Sequence, residues 1–527
     1  MNNSRSTSRL GHLIALTLIV AAGLFIQRGY MNEYPTHIHA WAEQDHYALS
    51  LGFINNGFDL FHPETMIYNK QFPGWWHEAY DNTITSADFP IHEYSVALLM
   101  KLLGTSSPWV FRLWTLLWGF AGLFFLYKVA HLITSDGLKS FLVAAIALCS
   151  PVYAYYLNGF LPSIPALSMG TIGMWFYLQY VDGGKRKHFH LGVAFVTVAM
   201  LMRTTFAIEW VAILCFELLR VFRKESTFTD KLPGLLVAVA LFFAYFLWNK
   251  HLKNLHGTIF LNELLPPEDG QDAKELLNDA YQKWKFHYFQ RFQYVVFLLI
   301  AVSAMGFGIF KMLRKERSTS QHKLSLWWLP LIETFGCMLF SVAMMQQLPN
   351  HDYYLIDTFF LPILMIIALA IKALPKFHAV FGALAVGAVC AVMLMNVRQK
   401  QFDRRVSEYY ALISYQHFQD ADLLLDSLDI PREAKILCLY GYAQNGPFIQ
   451  MKRKGFTVMN DNDNLLESAF TWDFDYIVVE NEKYKAHFKD NSVLLSRLRR
   501  IGGNAHLSVC TADNQSVYQD WQELIAP

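Results

Sequence analysis

The run "LGHLIALTLIVAAGLFIQ" (residues 10–27) contains no Asp, Glu, Lys or Arg and follows the basic residues Arg5 and Arg9. An apolar run of this length can cross the hydrocarbon core of a bilayer as one helix. A basic start is also typical of a signal peptide, but no small-x-small cleavage site follows this run. We therefore predict that it is an uncleaved first membrane span.

Apolar runs of similar length recur along the chain and account for its composition. Of the 527 residues, 54% are hydrophobic and 17% are charged, against roughly 25% charged residues in typical soluble proteins. The net charge of +1 predicts no binding to nucleic acid. The pattern predicts a mainly α, polytopic membrane helical bundle of about eleven spans. The predicted spans are 10–27, 109–134, 139–158, 162–181, 189–203, 205–222, 233–250, 291–313, 325–346, 354–374 and 377–397.

The distribution of Lys and Arg predicts which ends of the spans face the cytoplasm. If the N-terminus is cytoplasmic, the basic joints 182–188, 220–231 and 311–323 all face the cytoplasm as well. The opposite joints "NGFLPS" (158–163) and "QQLPNHDYY" (346–354) contain no Lys or Arg. An odd number of spans then predicts three larger extracytoplasmic segments. They are loop 28–108, loop 251–290 and the C-terminal residues 398–527.

The C-terminal residues differ in pattern from the rest of the chain. Short apolar runs, "KILCLYG" (435–441) and "FDYIVVE" (474–480), alternate with helix-like segments, which predicts a small extracytoplasmic α/β domain. Cys438 and Cys510 in this part are either a disulfide or two buried thiols. The predicted domains are a membrane domain of residues 1–397 and a soluble domain of residues 398–527.

The segment "HAWAEQDHYALSLGF" (residues 39–53) places an acid where an apolar side chain is expected. Drawn as a helix, it has one apolar stripe, formed by Ile38, Trp41, Ala48, Leu49 and Gly52. Asp45 lies on the centre line of this stripe, and Glu43 points away from it. Burial raises the pKa of a carboxyl toward the range of a general base. Asp45 is therefore either a catalytic base or a structural ion pair or helix cap, whereas Glu43 is expected on the solvent face.

A second acid of the same loop, Asp88, stands just before Phe89-Pro90. The apolar run 94–104 follows, which is too short for a span and is predicted as a helix on the outer membrane surface. Asp88 either caps this helix or takes part in the chemistry. We expect no required cofactor, because the histidines of the loop match no metal-site spacing; a divalent metal held by the two acids is the alternative. These histidines are His37, His39, His46, His62, His77 and His92.

Two further segments offer groups that suit a phosphate near the membrane surface. Residues 189–222 predict two spans with almost no loop, so that Arg203 lies at a tight outer apex. It either binds a phosphate or extends its charged end to the headgroups, and Glu209 is a candidate partner. The second segment, at the start of a later span, combines an imidazole with aromatic hydroxyls that also suit the headgroup depth. Its candidates are His351, Tyr353 and Tyr354.

The order of these motifs resembles the GT-C superfamily of integral-membrane glycosyltransferases, within it the branch of protein O-mannosyltransferases and bacterial aminoarabinose transferases. Members of this branch have an acid and a Tyr-Ala pair in the first outer loop, a Pro-containing apolar stretch, an Arg or Lys at a span end and a late His-x-Tyr-Tyr. The corresponding segments here are "WAEQDHYALSLGFINNGFDLFHP" (41–63), "DFPIHEYSVALLMKLLG" (88–104), "LMRTTF" (201–206) and "HDYYLIDTFFLP" (351–362).

The resemblance implies an inverting glycosyltransferase of the bacterial inner membrane with an extracytoplasmic active site. The donor would be a sugar on a polyprenyl phosphate, and the acceptor a hydroxyl of a protein, lipid or envelope glycan. Asp45 would deprotonate the acceptor, with Arg203, His351, Tyr353 and Tyr354 at the donor phosphate. Alignment on Tyr47-Ala48 puts Glu43 at the position of the family acid, so the family leaves Glu43 and Asp45 open; the helical stripe favours Asp45.

Two other classes compete with this prediction. A transporter or flippase is expected to carry charges near the middle of its spans, whereas the distinctive charges of this sequence cluster at the predicted outer face. A ligase acting on lipid-pyrophosphate glycans is expected to use more than one Arg at the leaving group. The sequence therefore favours the glycosyltransferase.

Overall fold

The computed structural model describes residues 2–72, 74, 78–261, 263–314, 324–376, 378–406, 410–439, 441–459, 463–487, 489–513, 518 and 521–525. His77 and most of the predicted basic joint 311–323 lie outside these residues. The chain divides into two compact units. The helical unit consists of Met1–Asn32, Phe111–Phe246 and Glu263–Asp403, and the loop–sheet unit of Glu33–Val110, Leu247–Asn262 and Arg404–Pro527. The predicted division into domains at residue 397 stays a prediction.

Helices dominate the described chain, with short 3-10 turns at Thr204–Phe206 and Met345–Asn350. Up to residue 406 the helices are α1 (Asn2–Gln27), α2 (Ala40–Asn55), α3 (Ile91–Leu103), α4 (Pro108–Thr134), α5 (Gly137–Leu148), α6 (Pro151–Tyr156), α7 (Ser163–Gly183), α8 (Arg186–Met202), α9 (Ala207–Phe222), α10 (Leu232–His256), α11 (Gly270–Tyr288), α12 (Arg291–Leu313), α13 (Trp328–Ala343), α14 (Tyr354–Asp357), α15 (Phe360–Ala373) and α16 (Ala379–Val406). After it they are α17 (Tyr410–Phe418), α18 (Ala421–Ser427), α19 (Gly446–Met451), α20 (Asp463–Ala469), α21 (Asn481–His487), α22 (Ser492–Leu495) and α23 (Trp521–Ile525).

Several helices have the length and composition of membrane spans. Within the described residues five qualify in full, and α5, α13 and α15 are shorter apolar helices. The five are Arg9–Gln27, Pro108–Thr134, Leu232–His256, Arg291–Leu313 and Ala379–Val406. The predicted class, a polytopic membrane helical bundle, is confirmed, and the number of spans stays a prediction.

The predicted span 139–158 is not one helix. It is divided into α5 and α6, because Pro151 has no backbone N–H for a continuing helix and starts a new one instead. The side chain of Ser150 accepts a hydrogen bond from the N–H of Tyr153 at the start of α6. The segments 189–203 and 205–222 form two helices, α8 and α9, joined by Arg203 and the 3-10 turn Thr204–Phe206. That each of them crosses the membrane stays a prediction.

Small residues allow α7 and α8 to pack closely in the helical unit. A Cβ atom added at Gly173 would lie 2.8 Å from the carbonyl oxygen of Gly192, and one added at Gly192 would lie 3.0 Å from the carbonyl oxygen of Gly173. Glycines at such positions are typical of membrane helices whose backbones approach each other closely. The pair therefore fixes the hairpin whose second helix ends next to Arg203.

The loop–sheet unit contains strands from two distant parts of the chain. They are β1 (Asn69–Lys70), β2 (Glu78–Ala79), β3 (Ile436–Leu439), β4 (Gly455–Val458), β5 (Tyr476–Glu480), β6 (Leu498–Gly503) and β7 (Leu507–Ala512). Within the described residues β3 to β7 form a sheet in the order β4-β3-β5-β7-β6. β3 runs parallel to β4 and β5, and β7 runs antiparallel to β5 and β6. The strands predicted at 435–441 and 474–480 are confirmed.

Residues of loop 28–108 extend this sheet at the edge of β4. Gly455 donates its N–H to the carbonyl of Met66 (3.0 Å) and accepts the N–H of Tyr68 (2.8 Å). Asn69 accepts the N–H of Thr457 (2.9 Å) and donates to its carbonyl (2.8 Å). The first loop and the C-terminal residues therefore share a hydrogen-bonded sheet within one unit.

The two C-terminal cysteines lie on different strands of the sheet. Cys438 belongs to β3 and Cys510 to β7, and β5 separates the two strands. Both are buried free thiols. Of the two alternatives, the buried thiols are confirmed.

Candidate active site

Helix α2 presents Asp45 to a buried environment. The residue is 2% exposed, and its carboxylate accepts hydrogen bonds from Gln444 Nε2 to Oδ2 (2.7 Å) and from Asn445 Nδ2 to Oδ1 (2.8 Å). The side chain of Trp41, one helical turn earlier, is a third hydrogen-bond partner. The prediction that Asp45 faces the interior is confirmed. Its partners are neutral amides and an indole, and no ion pair of Asp45 occurs within the described residues.

The other acid of α2 corrects the expected amphipathic pattern. Glu43 is buried, with 3% exposure, so the prediction that it lies on the solvent face was wrong. The prediction from the helical stripe assumed that one face of α2 contacts water. In the structure α3 and α19 both pack against α2, and its buried residues lie on all sides.

The environment of Asp45 makes its protonation sensitive to pH near neutrality. Burial raises the pKa of Asp45 to about 8, against the opposing effect of the hydrogen bonds from Asn445, Gln444 and Trp41. Burial disfavours the charged form, whereas N–H donors favour it. A carboxyl group of this kind can accept a proton at neutral to mildly alkaline pH, as a general base must.

The two amides come from the turn that connects β3 to α19. A turn at the carboxyl end of a parallel strand is a common place for functional side chains. Asn445 is the residue before the first turn of α19, and its Oδ1 accepts the backbone N–H of Met66 (3.0 Å). This bond assigns the oxygen of the amide, and therefore directs Nδ2 toward Asp45.

A buried His–Glu pair lies next to Asp45 in sequence. His46 Nδ1 and Glu93 Oε1 are 2.7 Å apart, and α2 and α3 supply one residue each. Burial raises the pKa of Glu93, but the hydrogen bond and the charge of His46 outweigh this effect, so the net shift is downward. Burial lowers the pKa of the neighbouring His92 to about 4. The pair therefore ties α2 to α3 beside the candidate base.

Asp88 is half-buried in the segment before α3. Pro90 is the residue before the helix and supplies no side-chain cap itself. Both predicted roles of Asp88, the helix cap and the part in the chemistry, stay predictions.

The predicted apex arginine forms an ion pair. Arg203, at the end of α8, donates from Nε (3.2 Å) and Nη2 (2.7 Å) to the same oxygen of Asp357. The side chain of Asp357 is fully buried, whereas that of Arg203 is 18% exposed. The prediction that Glu209 is the partner of Arg203 was wrong. The side chain of Glu209 packs against Gly170 instead, where an added Cβ atom would lie 2.3 Å from Glu209 Oε2.

Tyr353 and its neighbours lie around Arg203 in the helical unit. The guanidinium carbon of Arg203 is 5.6 Å from the ring centre of Tyr353, a distance typical of cation–π contacts. The ring of His351 stacks on that of Tyr354 with 5.1 Å between centres, and Tyr353 lies edge-on to both. The structure thus brings together all four predicted donor-phosphate residues.

The acids Asp45, Glu43 and Asp88 belong to the loop–sheet unit, and their catalytic roles stay predictions. A required metal also stays untested. Within the described residues no group of three or more His, Cys, Asp or Glu side chains is arranged to hold a metal ion.

Several site residues escaped the sequence analysis. Gln444 and Asn445 lie about 400 positions from Asp45 in sequence, so the helical stripe predicted a need for polar partners without identifying them. Asp357 carried a usable signal, because an acid at the start of an apolar span is rare and needs a partner.

The fold is similar to that of solved membrane glycosyltransferases along nearly the whole chain. ArnT from Cupriavidus metallidurans bound to undecaprenyl phosphate matches with a TM-score of 0.58 and 13% identity, covering 95% of this chain and 99% of that one. The arabinofuranosyltransferase AftD from Mycobacteria matches with 0.53 and 13%, covering 96% of this chain and 40% of AftD. The oligosaccharyltransferase AglB from Archaeoglobus fulgidus, in complex with an inhibitory peptide and a dolichol-phosphate, matches with 0.50 and 10%, covering 96% and 75%.

A sequence comparison agrees with the structural one over part of the chain. A family model described as dolichyl-phosphate-mannose-protein mannosyltransferase matches residues 87–248, which include Asp88 and Arg203 but not Asp45. No curated protein matches the chain in sequence. Together with the fold, this match confirms the predicted resemblance to the GT-C glycosyltransferases.

Proposed function

We propose, from the GT-C fold of this integral membrane protein, that it is an inverting glycosyltransferase. It moves a sugar from a polyprenyl-phosphate donor to a hydroxyl group of a protein, lipid or envelope glycan on the extracytoplasmic side. The two similar structures that contain a polyprenyl phosphate, ArnT with undecaprenyl phosphate and AglB with dolichol-phosphate, support this class of donor.

The observation that carries the proposal is the environment of Asp45. Its carboxylate is buried, is held by neutral N–H donors and has a pKa of about 8. An acceptor hydroxyl has a much higher pKa, so it needs a base to take its proton as it attacks. An ion-paired carboxylate would be a weaker base than one held by amides.

The proposed reaction needs no covalent enzyme intermediate. Asp45 accepts the proton of the acceptor hydroxyl, and the acceptor oxygen forms a bond to the anomeric carbon. The bond between this carbon and the phosphate oxygen breaks, and the lipid phosphate leaves with the electron pair. Attack from the face opposite the phosphate inverts the anomeric configuration.

The proposed binding site of the leaving phosphate is the cluster of Arg203, His351, Tyr353 and Tyr354. A guanidinium and aromatic hydroxyls can stabilise the negative charge that develops on the phosphate. Asp357 holds the guanidinium in one orientation through two N–H groups. Orientation before binding is the property that makes such a group effective.

The test is direct transfer by the purified protein. We expect that one of a panel of polyprenyl-phosphate sugars, incubated with extracytoplasmic membrane lipids, envelope glycans and peptides, gives a glycosylated product detectable by mass spectrometry. The transfer should continue in excess EDTA and be absent with Asp45→Asn. No product with any donor, from protein that binds a polyprenyl phosphate, would contradict the proposal.

One observation favours a second candidate, a transporter or flippase. Glu209 and Glu333 are buried acids in the predicted spans 205–222 and 325–346, and they interact electrostatically. Glu209 accepts no hydrogen bond within the described residues. Acids at such depth often take part in proton-coupled transport. If proteoliposomes translocate a lipid-linked sugar and Glu333→Gln stops this without affecting transfer, the second candidate gains support.

A further inference from the structure

The carboxylate of Asp45 accepts hydrogen bonds from residues that lie about 400 positions later in the chain. We propose that Gln444 and Asn445 are positioning residues of the proposed transfer, which hold Asp45 in one orientation and favour its ionised form. The inference rests on the proposed function, in which Asp45 is the base. It gives the C-terminal residues a role in the chemistry.

The two carboxylate oxygens of Asp45 are divided between two donors. Gln444 donates to Oδ2 and Asn445 to Oδ1, at 2.7 Å and 2.8 Å. Both amides are fully buried, so bulk solvent does not compete with them for the carboxylate. A carboxylate held at both oxygens cannot rotate about its terminal bond, so its remaining lone pairs point in fixed directions.

Asn445 is fixed independently of Asp45. Its Oδ1 accepts the N–H of Met66, and Met66 is bonded through its carbonyl to Gly455 at the edge of β4. The amide is therefore oriented before Asp45 ionises. Gln444 differs, because its buried Oε1 has no hydrogen-bond partner among the described residues. Its side chain has no second hydrogen bond of this kind to orient it there, so we expect Asn445 to contribute more.

Neutral donors, and not a charged neighbour, oppose the effect of burial on the pKa of Asp45. Burial and hydrogen bonds are the causes of its pKa shift. Helix α19, which packs against α2, carries no titratable side chain. His46 and Glu93 form a pair with each other. The titratable side chains on Asp45's own helix are Glu43, His46 and Tyr47. Those on α3 and on the neighbouring segments are His92, Glu93, Tyr94, Lys101, Glu64 and Tyr442.

The experiment compares variants of the full-length protein in two readouts against pH. The first is infrared difference spectroscopy of the protonated carboxyl band, with the Asp45 band identified as the one that Asp45→Asn removes. The second is the rate of sugar transfer. Asn445→Asp keeps an oxygen for the N–H of Met66 but replaces the donor to Asp45 by an acid; Asn445→Ala removes both. The control is Asn69→Ala, which removes two hydrogen bonds to Thr457 at the same sheet edge without touching Asp45.

We expect the infrared midpoint near pH 8 in the wild type and about one unit higher in Asn445→Ala, with a larger shift in Asn445→Asp and a smaller one in Gln444→Ala. One unit corresponds to about a tenfold lower rate at pH 7 with a similar rate at high pH. The KM of the lipid donor should not change. Asn69→Ala should leave the midpoint unchanged.

The two readouts separate the inference from the function on which it rests. An unchanged infrared midpoint in both Asn445 variants would overturn the positioning role, whatever the rates. A shifted midpoint with an unshifted pH–rate profile would show that Asp45 is not the base, which overturns its role in the proposed function. A midpoint that shifts equally in Asn69→Ala would reduce the effect to general loosening of the sheet edge, and would also overturn the inference.

Discussion

Asp45 and Asp357 are both buried carboxylates, one in each compact unit, but they are stabilised in different ways. Asp357 accepts two N–H groups of the Arg203 guanidinium on one oxygen. Asp45 accepts the amides of Gln444 and Asn445, one on each oxygen, and forms no ion pair within the described residues. Both therefore satisfy the requirement that a buried acid be hydrogen-bonded.

The two carboxylates differ in the donors that hold them. Asp357 and the guanidinium of Arg203 orient each other through two N–H groups. The neutral amides at Asp45 favour its ionised form less than burial disfavours it, so the pKa of Asp45 rises to about 8. The structure thus suits Asp45 to proton transfer and Asp357 to the orientation of Arg203. Each prediction below changes one side of this comparison.

The largest expected effect belongs to Asp45→Asn. The asparagine keeps the size of the side chain but cannot accept a proton from a hydroxyl group, so we expect transfer to fall by at least about a thousandfold. The measurement is the transfer rate with the best polyprenyl-phosphate donor, beside the thermal unfolding midpoint of the detergent-solubilised protein. That midpoint should stay near or above the wild-type value.

Glu43→Gln is the matched control on the same helix. Because the family alignment leaves Glu43 as the other candidate base, the two variants decide between them. A near wild-type rate in Asp45→Asn together with a thousandfold loss in Glu43→Gln would assign the base to Glu43 and remove the significance of the amide partners.

The second effect concerns the ion pair of Arg203 and Asp357. Arg203→Ala leaves a buried carboxylate without its cation, which we expect to destabilise the protein by about 3–5 kcal/mol. If Arg203 also binds the donor phosphate, the KM of the lipid donor should rise at least about tenfold at unchanged KM of the acceptor. Thermal unfolding and initial-rate kinetics measure the two parts separately.

The double variant Arg203→Gln with Asp357→Asn separates stability from binding. It replaces the ion pair by two neutral amides, so most of the lost stability should return. The weak use of the donor should remain. Recovery of both properties would mean that the arginine serves the fold alone, and that the phosphate is bound elsewhere.

The third effect is the dependence of rate and stability on pH. Asp45 must be ionised to act as a base, so the rate should rise about tenfold per pH unit up to a plateau above about pH 8. The folded pKa lies above the ordinary value of 3.8, so between these values the folded protein holds a proton that the unfolded chain releases. Stability should therefore fall as the pH rises from about 4 to about 8.

Asp45→Asn provides the comparison for this stability effect. The variant has no proton to lose, so its unfolding midpoint should change less over the same pH range, and should exceed that of the wild type above pH 8. Parallel pH profiles of wild type and variant would contradict the buried, protonated state of Asp45.

The polytopic helical class was predictable from sequence because its signals are local. An apolar run such as 10–27 identifies a span without reference to any other residue. In the same way, the lysines and arginines of 182–188 predict that this joint faces the cytoplasm. The break in 139–158 was also readable, since Ser150-Pro151 is a helix start within the apolar run. The docking of residues 66–69 onto β4 was not, because edge pairing of a short segment leaves little pattern in sequence.

Of the candidate site, the sequence predicted only those features that follow from the helical period. The position of Asp45 on an apolar stripe predicted its burial, but the burial of Glu43 depends on α3 and α19, whose packing the period of α2 does not contain. Arg203 was predicted from a tight helical apex, whereas its partner Asp357 comes from a contact 154 residues away in sequence. Which residue pairs with which across such a distance in sequence is decided by tertiary packing.

The smallest expected effect tests the ionic arrangement within the loop–sheet unit itself. Glu93 accepts a hydrogen bond from His46, and the net shift of its pKa is downward. Glu93→Gln keeps an oxygen for this bond but removes the charge, so we expect a loss of about 1–2 kcal/mol, the usual value of a hydrogen bond to a charged group over a neutral one. A carboxyl with a lowered pKa stabilises the folded protein above its unfolded pKa, and this stabilisation is lost as the pH falls through its folded pKa. The unfolding midpoints of wild type and Glu93→Gln should therefore differ at pH 7 and converge as the pH falls below the ordinary glutamate pKa of 4.5 and through the lowered folded pKa. A difference that persists in acid would mean that the glutamine disturbs the packing of α2 on α3 instead of removing a charge.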